Sequence, residues 1–343
     1  MKPSTREGRK LHLLAWETTQ ACTLACPHCR ANAACISATN ELTTLEGKKL
    51  LKDASYIGPS IVILSGGEPL LRNDLEELAE TGSLLGHTMV VACNDGNLLT
   101  SQRIKALSSA QVKRFSFSIH HDSEEQHDAF TAKKGAYCAA LAAFERLKEQ
   151  NIPFQINTTV LPTNRERLAE MQRHFIQLGA AAWHLFFIVP TGRAGASDNL
   201  READPAVIEE TLRWVADAAD ASPIPMKVTC APQYARIRAQ MGKKPAQHGR
   251  SCMAGDGFAF VGSTGEVKPC GYFDISVGNI RQTSFDELYS NSPEFKLLRN
   301  PEKLEENCGI CSFSRICGGC RARAFAVKGN FMGKDPNCNY SPS

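Results

Sequence analysis

Short apolar runs alternate, as far as residue 189, with stretches in which apolar residues recur at helical spacing. Six runs predict β-strands, at residues 11–19, 61–64, 88–93, 114–120, 153–160 and 182–189. The stretches between them predict helices, one of which opens at the capping box Thr43–Glu46. Strands that alternate with helices predict right-handed βαβ units and a parallel sheet. Because a closed barrel needs eight units, we expect an α/β fold with an open, partial barrel.

The pattern changes after residue 197. Asp204 and Pro205 predict the start of a helix, and residues 226–230 predict a short strand. A polar linker at 243–250 precedes a predicted β-hairpin at 257–271, two short helices and a loop-rich region. We therefore predict a barrel at 1–199, a bridging helix and linker at 200–249, and a second domain at 250–343.

Composition and charge limit the possible functions. The apolar fraction is 43%, the charged fraction is 22% and the net charge is +3, values typical of a globular protein without a nucleic-acid partner. The first ten residues are polar, so no secretory signal is predicted. Because no apolar run reaches the roughly 20 residues of a membrane helix, we expect no membrane partner and a cytoplasmic location.

Cysteine is the most informative residue type in this sequence. Ten of the fourteen cysteines lie in two sets, which indicates metal binding in a reducing compartment. The sets are Cys22, Cys26 and Cys29, and Cys252, Cys270, Cys308, Cys311, Cys317, Cys320 and Cys338. The scattered Cys35, Cys93, Cys138 and Cys230 are interpreted as small apolar residues.

The first set contains three thiols, an odd number for disulfides and one fewer than a structural zinc ion needs. Three thiolates can hold three corners of an iron–sulfur cube and leave the fourth iron open. A zinc site completed by His28 or a distant residue remains the alternative. The loop and four other motifs follow predicted strands, where the chemistry of such barrels gathers. Those motifs are Gly66–Pro69, Asn94, Ser118–His120 and Val189–Pro190.

The spacing C-x3-C-x2-C after a first strand, together with Gly-Gly-Glu-Pro at 66–69, resembles the radical S-adenosylmethionine (SAM) superfamily. The resemblance implies a TIM-like partial (β/α)6 barrel and a [4Fe–4S] cluster on Cys22, Cys26 and Cys29, whose open iron binds SAM. It further implies SAM contacts from Gly66, Gly67, Glu68, Pro69, Asn94, Ser118, His28 and Val189. Cys35 is then a bystander, because a fourth thiolate would block SAM.

The C-terminal cysteines resemble the SPASM domain, which carries auxiliary iron–sulfur clusters, although their last spacing is x2 where x3 is common. The resemblance implies two ligand sets: Cys252, Cys270 and Cys320 for one cluster, and Cys308, Cys311, Cys317 and Cys338 for the other. The first set lacks a fourth thiolate, so either one iron is open or Asp256 or Cys230 completes it. A pair of zinc-ribbon sites is the alternative.

Longer strings look like the radical SAM enzymes of alternative haem and haem d1 synthesis. They include Trp16–Thr19, Cys29–Ala31, His127–Phe130, Gln155–Val160, Ala182–Phe186, Val189–Arg193, Thr229–Pro232 and Cys317–Ala324. This resemblance implies an oxidoreductase that decarboxylates propionates of iron-coproporphyrin III to vinyl groups, with a low-potential electron donor such as flavodoxin or ferredoxin. Arg193, Arg321 and Arg323 are candidate propionate ligands, since arginine binds carboxylates through two hydrogen bonds.

Two segments depart from the family pattern at the predicted site. Ser118-Ile119-His120-His121-Asp122 stands where an acidic residue and glycine are expected, and Asp95 is inserted in the usual Asn-Gly. His120 and His121 are therefore candidate substrate contacts. The alternatives are a radical SAM maturase of a ribosomal peptide, and an iron–sulfur or zinc protein without enzymatic activity. The second alternative leaves the Gly66–Pro69 motif unexplained.

Overall fold

The computed structural model describes residues 10–197, 200, 204–245 and 249–342. The polar N-terminal segment, the predicted boundary at 199 and residues 246–248 of the predicted linker lie outside these ranges. The strands within them are β1 Leu13–Glu17, β2 Ile61–Ser65, β3 Thr88–Ala92, β4 Arg114–Ser118, β5 Phe154–Val160, β6 Ala182–Phe187, β7 Met226–Thr229, β8 Phe258–Val261, β9 Glu266–Lys268 and β10 Gly278–Asn279.

The α-helices in the described ranges alternate with the first seven strands and then follow β10. They are α1 Thr44–Ser55, α2 Leu75–Leu84, α3 Ser101–Ser109, α4 Glu124–Thr131, α5 Ala136–Glu149, α6 Leu168–Gln177, α7 Pro205–Ala221, α8 Gln233–Gln240, α9 Phe285–Asn291, α10 Pro293–Leu298, α11 Glu306–Gly309 and α12 Arg321–Lys328. The six predicted strands are confirmed, most with shorter ends. The sequence pattern missed α4, α8, α11 and α12.

Seven parallel strands, β1 to β7, lie side by side in sequence order. The carboxyl ends of parallel strands meet at one edge of a sheet, so the loops after these strands come together. Among the residues that the structure describes, β1 and β7 do not pair with each other, and the barrel is open. The α/β class and the partial barrel are confirmed.

The sheet continues into the C-terminal part of the chain. β8 pairs in parallel with β1, and β9 and β10 follow in antiparallel pairs, which gives ten strands in the order β10-β9-β8-β1-β2-β3-β4-β5-β6-β7. The predicted hairpin is thus confirmed, and it belongs to the same sheet as the barrel. The division of the chain at 199 and 249 stays a prediction.

Local sequence chemistry explains two helix starts. The Thr43 hydroxyl accepts a hydrogen bond from the Glu46 amide at 3.3 Å, and the Glu46 carboxylate accepts one from the Thr43 amide at 2.8 Å. Asp204 accepts a hydrogen bond from the Ala206 amide at 2.8 Å. Each pair satisfies amides that a helix N-terminus leaves without internal partners.

Aromatic side chains fix the strands against the helices. Phe144 of α5 stacks on Phe154 of β5 with ring centroids 4.2 Å apart, and Phe175 of α6 meets Trp183 of β6 edge-on at 5.5 Å. The buried Trp183 indole donates a hydrogen bond to Thr158 at 2.9 Å. Because aromatic pairs add about 0.5–1.5 kcal/mol to the area they bury, they hold the strand ends in place.

Candidate cluster and cofactor site

The first cysteine loop follows β1 and is fixed by its own backbone. The Cys22 amide donates to the Ala34 carbonyl at 2.7 Å, and the Ala34 amide donates to the Gln20 carbonyl at 3.2 Å. Burial and the neighbouring thiols raise the pKa of Cys22 to about 11 and that of Cys26 to about 12. The thiol of Cys29 contributes to both shifts, so the three predicted ligands lie together.

One hydrogen bond within the loop suits a thiolate that holds a cluster. The Leu24 amide donates to the Cys22 sulfur at 3.4 Å, a contact that stabilises a metal-bound thiolate. Cys35 is exposed and lies outside this group. Within the described ranges, no three His, Cys, Asp or Glu side chains are grouped to hold a single metal ion.

Arg193 clamps the loop from the turn after β6. Its side chain donates to the carbonyls of Cys26 at 2.8 Å and Ala33 at 2.6 Å, and its amide donates to the Cys29 carbonyl at 3.0 Å. The guanidinium also acts to lower the pKa of the Cys26 thiol. In this structure the predicted propionate ligand Arg193 therefore positions the cysteine loop.

The Gly-Gly-Glu-Pro turn lies directly against the start of the cysteine loop. The Gly67 amide donates to the Thr19 carbonyl at 2.8 Å, and the Glu68 amide donates to the Ala21 carbonyl at 2.7 Å. A Cβ on Gly67 would lie 2.2 Å from the Ala21 oxygen, and one on Gly66 would lie 2.5 Å from the Thr19 oxygen. Only glycine permits this approach.

Glu68 and Asn94 connect the ends of three strands. The buried Glu68 carboxylate accepts hydrogen bonds from the amides of Leu70 at 3.1 Å, Asn94 at 2.7 Å and Asp95 at 2.8 Å. Asn94 in turn accepts one from the Ser118 amide at 2.9 Å. Burial raises the pKa of Glu68 to about 7. The predicted SAM contacts Glu68, Asn94 and Ser118 thus form one network, and Pro69 opens a short 3-10 turn beside it.

Asp95 is a positioning residue that the sequence pattern revealed only as a departure. Its carboxylate accepts hydrogen bonds from the Thr23 hydroxyl at 2.7 Å and the Lys133 ammonium at 2.6 Å. Burial opposes ionisation, but these two bonds outweigh it and lower the pKa of Asp95. Because Thr23 lies within the cysteine loop, Asp95 fixes the loop to β3.

His28 of the cysteine loop packs in a group with three further histidines and Phe130. The His28 ring stacks on Phe130 at 4.9 Å and meets His120 at 4.5 Å, while His120 and His121 are both buried. His127 accepts a hydrogen bond from the His120 amide at 3.2 Å. Burial lowers the pKa of His28 and of His127 to about 4. The Nδ1 atom of His28 is buried and has no hydrogen-bond partner among the described residues.

The pH dependence of stability tests this histidine group. The pKa of His127 falls from 6.5 in the unfolded chain to about 4 in the folded protein. Between these values the unfolded state binds more protons, so stability is complete above pH 6.5 and is lost as the pH falls towards 4. His127→Asn keeps an acceptor for the His120 amide and removes the titration.

We expect the variant to lose less stability than the parent between about pH 7 and pH 5, by on the order of 1–2 kcal/mol. Scanning fluorimetry of both proteins across this range measures the difference. If the melting temperatures of the two proteins changed by the same amount with pH, this result would contradict the predicted role of His127.

A second group of thiols lies beneath the end of β6. Cys252, Cys270 and Cys320 pack in one apolar cluster with Val189, and Cys230 joins them. Burial raises the pKa of the Cys270 thiol to about 11, and the thiol of Cys252 adds to that shift. The predicted adenine contact Val189 thus lies between the barrel and this group.

The third group contains the four remaining predicted ligands. Cys308, Cys311, Cys317 and Cys338 line one small cavity. Burial raises the pKa of Cys317, and the thiols of Cys338 and Cys308 contribute. The structure therefore gathers the predicted ligands in three places, and Cys308 also packs against the apolar cluster of the second group. Their roles as cluster ligands stay predictions.

Arg321 and Arg323 are buried at these cysteine groups, and neither lines the large cavity described below. Arg321 donates to the Phe331 and Gly333 carbonyls at 2.9 and 2.7 Å and lies 3.5 Å from the Cys308 sulfur. Arg323 forms a fully buried ion pair with Asp335 at 3.2 Å. Both guanidinium groups contact protein partners, so their predicted role in binding propionates has no support from this geometry.

A cavity of about 500 Å³ opens between the first cysteine loop and the second group of thiols. Arg30, next to the last cysteine of the loop, lies in its wall, pairs with Glu17 at 3.0 Å and covers the Phe260 ring at 4.4 Å. Lys268 and Tyr272 also line this cavity. His120 and His121 do not line this cavity. Its volume suits an organic ligand, since such pockets measure about 300–1,000 Å³.

Tyr272 lies between the two cysteine groups, and it belongs to none of the motifs predicted from the sequence. Burial raises the pKa of its phenol, and the thiols of Cys230, Cys270 and Cys29 act in the same direction. The Arg30 guanidinium also affects the Cys270 thiol, which places the cavity beside both groups. The sequence signal that could have indicated Tyr272 is its position two residues after Cys270.

The chain is similar to known proteins along almost its whole length. Residues 16–175 match the radical SAM superfamily model, and residues 252–312 match the SPASM model, described as an iron–sulfur cluster-binding domain. An AdoMet-dependent heme synthase of Methanosarcina barkeri is 43% identical over 96% of this chain and 97% of its own length. A second, from Oleidesulfovibrio alaskensis, is 40% identical over 96% of this chain and 87% of its own.

A solved structure shares the fold. The structure of Streptococcus suis SuiB bound to its precursor peptide SuiA superposes with a TM-score of 0.76 at 14% identity, over 97% of this chain and 76% of that one. Among the described helices of the present chain, none combines the length and apolar character needed to cross a membrane.

Proposed function

The chain belongs to the radical SAM superfamily and carries a SPASM domain, and on this premise we propose that it converts iron-coproporphyrin III to haem b. Each turnover would remove one hydrogen atom, one carboxylate as carbon dioxide and one further electron from a propionate, which leaves a vinyl group. Two such steps complete the conversion. The extensive similarity to two haem synthases is the observation that carries the proposal.

The cofactors supply the difficult chemistry. When bound, the cluster on the first loop and SAM supply a 5′-deoxyadenosyl radical that takes hydrogen from an unactivated carbon, and the auxiliary clusters supply an electron acceptor. Cys22, Cys26 and Cys29 would hold the first cluster, while the Gly66–Glu68 turn and Asn94 would hold SAM. Arg193 and Asp95 keep the loop in place while substrate enters.

The cavity has room for a large substrate and a wall of mixed charge. Arg30 and Lys268 contribute positive charge, Glu17, Glu266 and Asp274 contribute negative charge, and Phe260 and Tyr272 contribute aromatic surface for a macrocycle. Arg30 is already paired with the buried Glu17, whereas Lys268 lies 4.0 Å from the exposed Asp274 and can exchange that partner at low cost. We therefore propose that Lys268 binds a propionate group of the substrate.

Lys268→Met tests this assignment. The variant keeps the aliphatic length and removes the charge, so we expect about a tenfold increase in the KM for iron-coproporphyrin III, since a hydrogen bond to a charged group contributes about 1.5–3 kcal/mol. Lys48→Met is the matched control, because Lys48 also forms an ion pair on the surface but does not line the cavity. An unchanged KM in the Lys268 variant would contradict the assignment.

The proposed function itself is tested by anaerobic turnover. The reconstituted enzyme is incubated with SAM, a strong reductant and iron-coproporphyrin III. Mass spectrometry follows 5′-deoxyadenosine together with the stepwise loss, once and then twice, of carbon dioxide and two hydrogens from the porphyrin. Formation of 5′-deoxyadenosine with unconsumed porphyrin would contradict iron-coproporphyrin III as the substrate and would still support radical SAM chemistry.

A peptide substrate is the second candidate, because the SuiB structure shares this fold and was solved with a precursor peptide. The two substrates are distinguished by the turnover experiment, in which a peptide-modifying enzyme leaves the porphyrin intact. We also propose a cytoplasmic location and a low-potential donor such as flavodoxin or ferredoxin. Reduction of the as-isolated clusters by flavodoxin tests the donor.

A further inference from the structure

The first auxiliary cluster lacks one ligand in the SPASM pattern, and Cys230 lies at the open position. Cys230 follows β7, outside the region that matches the SPASM model. From the sequence it was interpreted as a scattered apolar residue and, with Asp256, named as a candidate fourth ligand. In the structure it packs in the same cluster as Cys252, Cys270 and Cys320. Four cysteines from three parts of the chain are therefore packed in one buried cluster, against which Cys308 also packs.

The backbone at Cys230 is held in an unusual conformation. Its φ angle is +63°, a left-handed value that costs a residue with a side chain about 1–2 kcal/mol. Such strain persists where the surroundings impose it, and it is frequent at functional sites. The conformation ends β7 and is part of the turn that carries the thiol to the other three.

A buried ion pair ties Cys230 to the SPASM side of the group. Arg323 donates to the Cys230 carbonyl at 2.6 Å and to the Ile188 carbonyl at 2.9 Å. Its partner Asp335 accepts a hydrogen bond from the Cys320 amide at 2.7 Å. Arg323 and Asp335 are both fully buried, so they fix the backbones of two cysteines from distant parts of the chain relative to each other.

The other residue considered from the sequence lies elsewhere. Asp256 is partly exposed, approaches Arg250 at 3.8 Å and acts on the ionisation of Tyr289. Its carboxylate therefore faces Arg250 and lies near Tyr289 of α9.

We propose that Cys230 is the fourth thiolate of the first auxiliary cluster, with Cys252, Cys270 and Cys320. Each thiol releases its proton to solvent as its sulfur–iron bond forms. A cluster with four thiolates has no iron open to substrate, so this cluster acts as an electron carrier beside the cavity. The proposal depends on the family membership and is independent of the substrate proposed above.

Iron chemistry tests the proposal without turnover. A parent in which Cys22, Cys26 and Cys29 are all alanine retains only the auxiliary clusters, so its spectra report on them alone. We expect Cys230→Ala in this parent either to lose the first cluster, with a fall of about four irons per chain, or to retain it with one altered iron site. Iron and sulfide analysis, Mössbauer spectroscopy and EPR of the reduced protein measure the change.

Two further variants make the result decisive. Cys93→Ala removes a buried thiol from the barrel core and should leave the auxiliary spectra unchanged. Cys230→Ser offers oxygen in place of sulfur and should keep the fold, checked by circular dichroism, with a shifted EPR spectrum. Spectra and iron content of Cys230→Ala identical to those of the parent would overturn the proposal, as would loss of the cluster in Asp256→Ala but not in Cys230→Ala.

Discussion

Cys26→Ala is expected to abolish SAM cleavage. Loss of residues that only support a metal ligand costs about 10–100-fold, so loss of a ligand itself should reduce 5′-deoxyadenosine formation by more than about 100-fold. The change is specific to the thiol, because alanine keeps the carbonyl that accepts the hydrogen bond from Arg193. The loop should retain its path while one corner of the cluster has no ligand.

The measurement combines product and iron. Liquid chromatography quantifies 5′-deoxyadenosine with and without porphyrin, and iron analysis should fall by about four per chain, since the auxiliary ligands are untouched. Cys35→Ala is the matched control, because Cys35 is exposed and lies six residues beyond Cys29. Equal losses in both variants would show that Cys35 is a ligand.

Gly67→Ala is expected to produce the second large effect, a loss of SAM binding. The added methyl carbon would lie 2.2 Å from the Ala21 oxygen and 2.7 Å from its carbonyl carbon. These are backbone atoms at the start of the cysteine loop, so neither a rotamer change nor a flexible side chain can relieve the overlap. The turn and the loop must move apart, which separates the SAM contacts from the open iron.

Overpacking of this kind costs about 1–3 kcal/mol, which corresponds to roughly a 5- to 150-fold weaker affinity for SAM. Equilibrium dialysis with labelled SAM measures the affinity. Gly86→Ala is the control: Gly86 has φ +88° and a methyl group added there would have no heavy atom within 4 Å, so alanine strains the backbone without a clash. Comparable melting temperatures with unchanged SAM affinity in Gly67→Ala would show that the turn does not bind SAM.

The sequence was sufficient where the signal was local. The capping box at Thr43 and the start of α7 at Asp204 depend on residues a few positions apart, and both helices begin where predicted. The same holds for the cysteine loop and the Gly66–Gly67 turn, whose spacing carries their chemistry.

Contacts between residues that are distant in the sequence could not be predicted in this way. Arg321 and Arg323 were candidate propionate ligands because arginine binds carboxylates through two hydrogen bonds, yet both are buried against backbone carbonyls, a sulfur atom and Asp335. Cys230 was one of two candidate fourth ligands and was otherwise grouped with apolar residues, because its three neighbouring thiols follow it by at least 22 positions, the separation from Cys252. A lining residue such as Tyr272 lacks a motif of its own.

The parallel pairing of β8 with β1 has a consequence for how this protein can be divided experimentally. Without the C-terminal part, β1 would become an edge strand with open amide and carbonyl groups, and edge strands of this kind pair with other chains and aggregate. Truncation therefore removes the auxiliary cysteines and at the same time exposes the β1 edge of the barrel. Separate roles for the clusters must be obtained from point variants in the full-length chain.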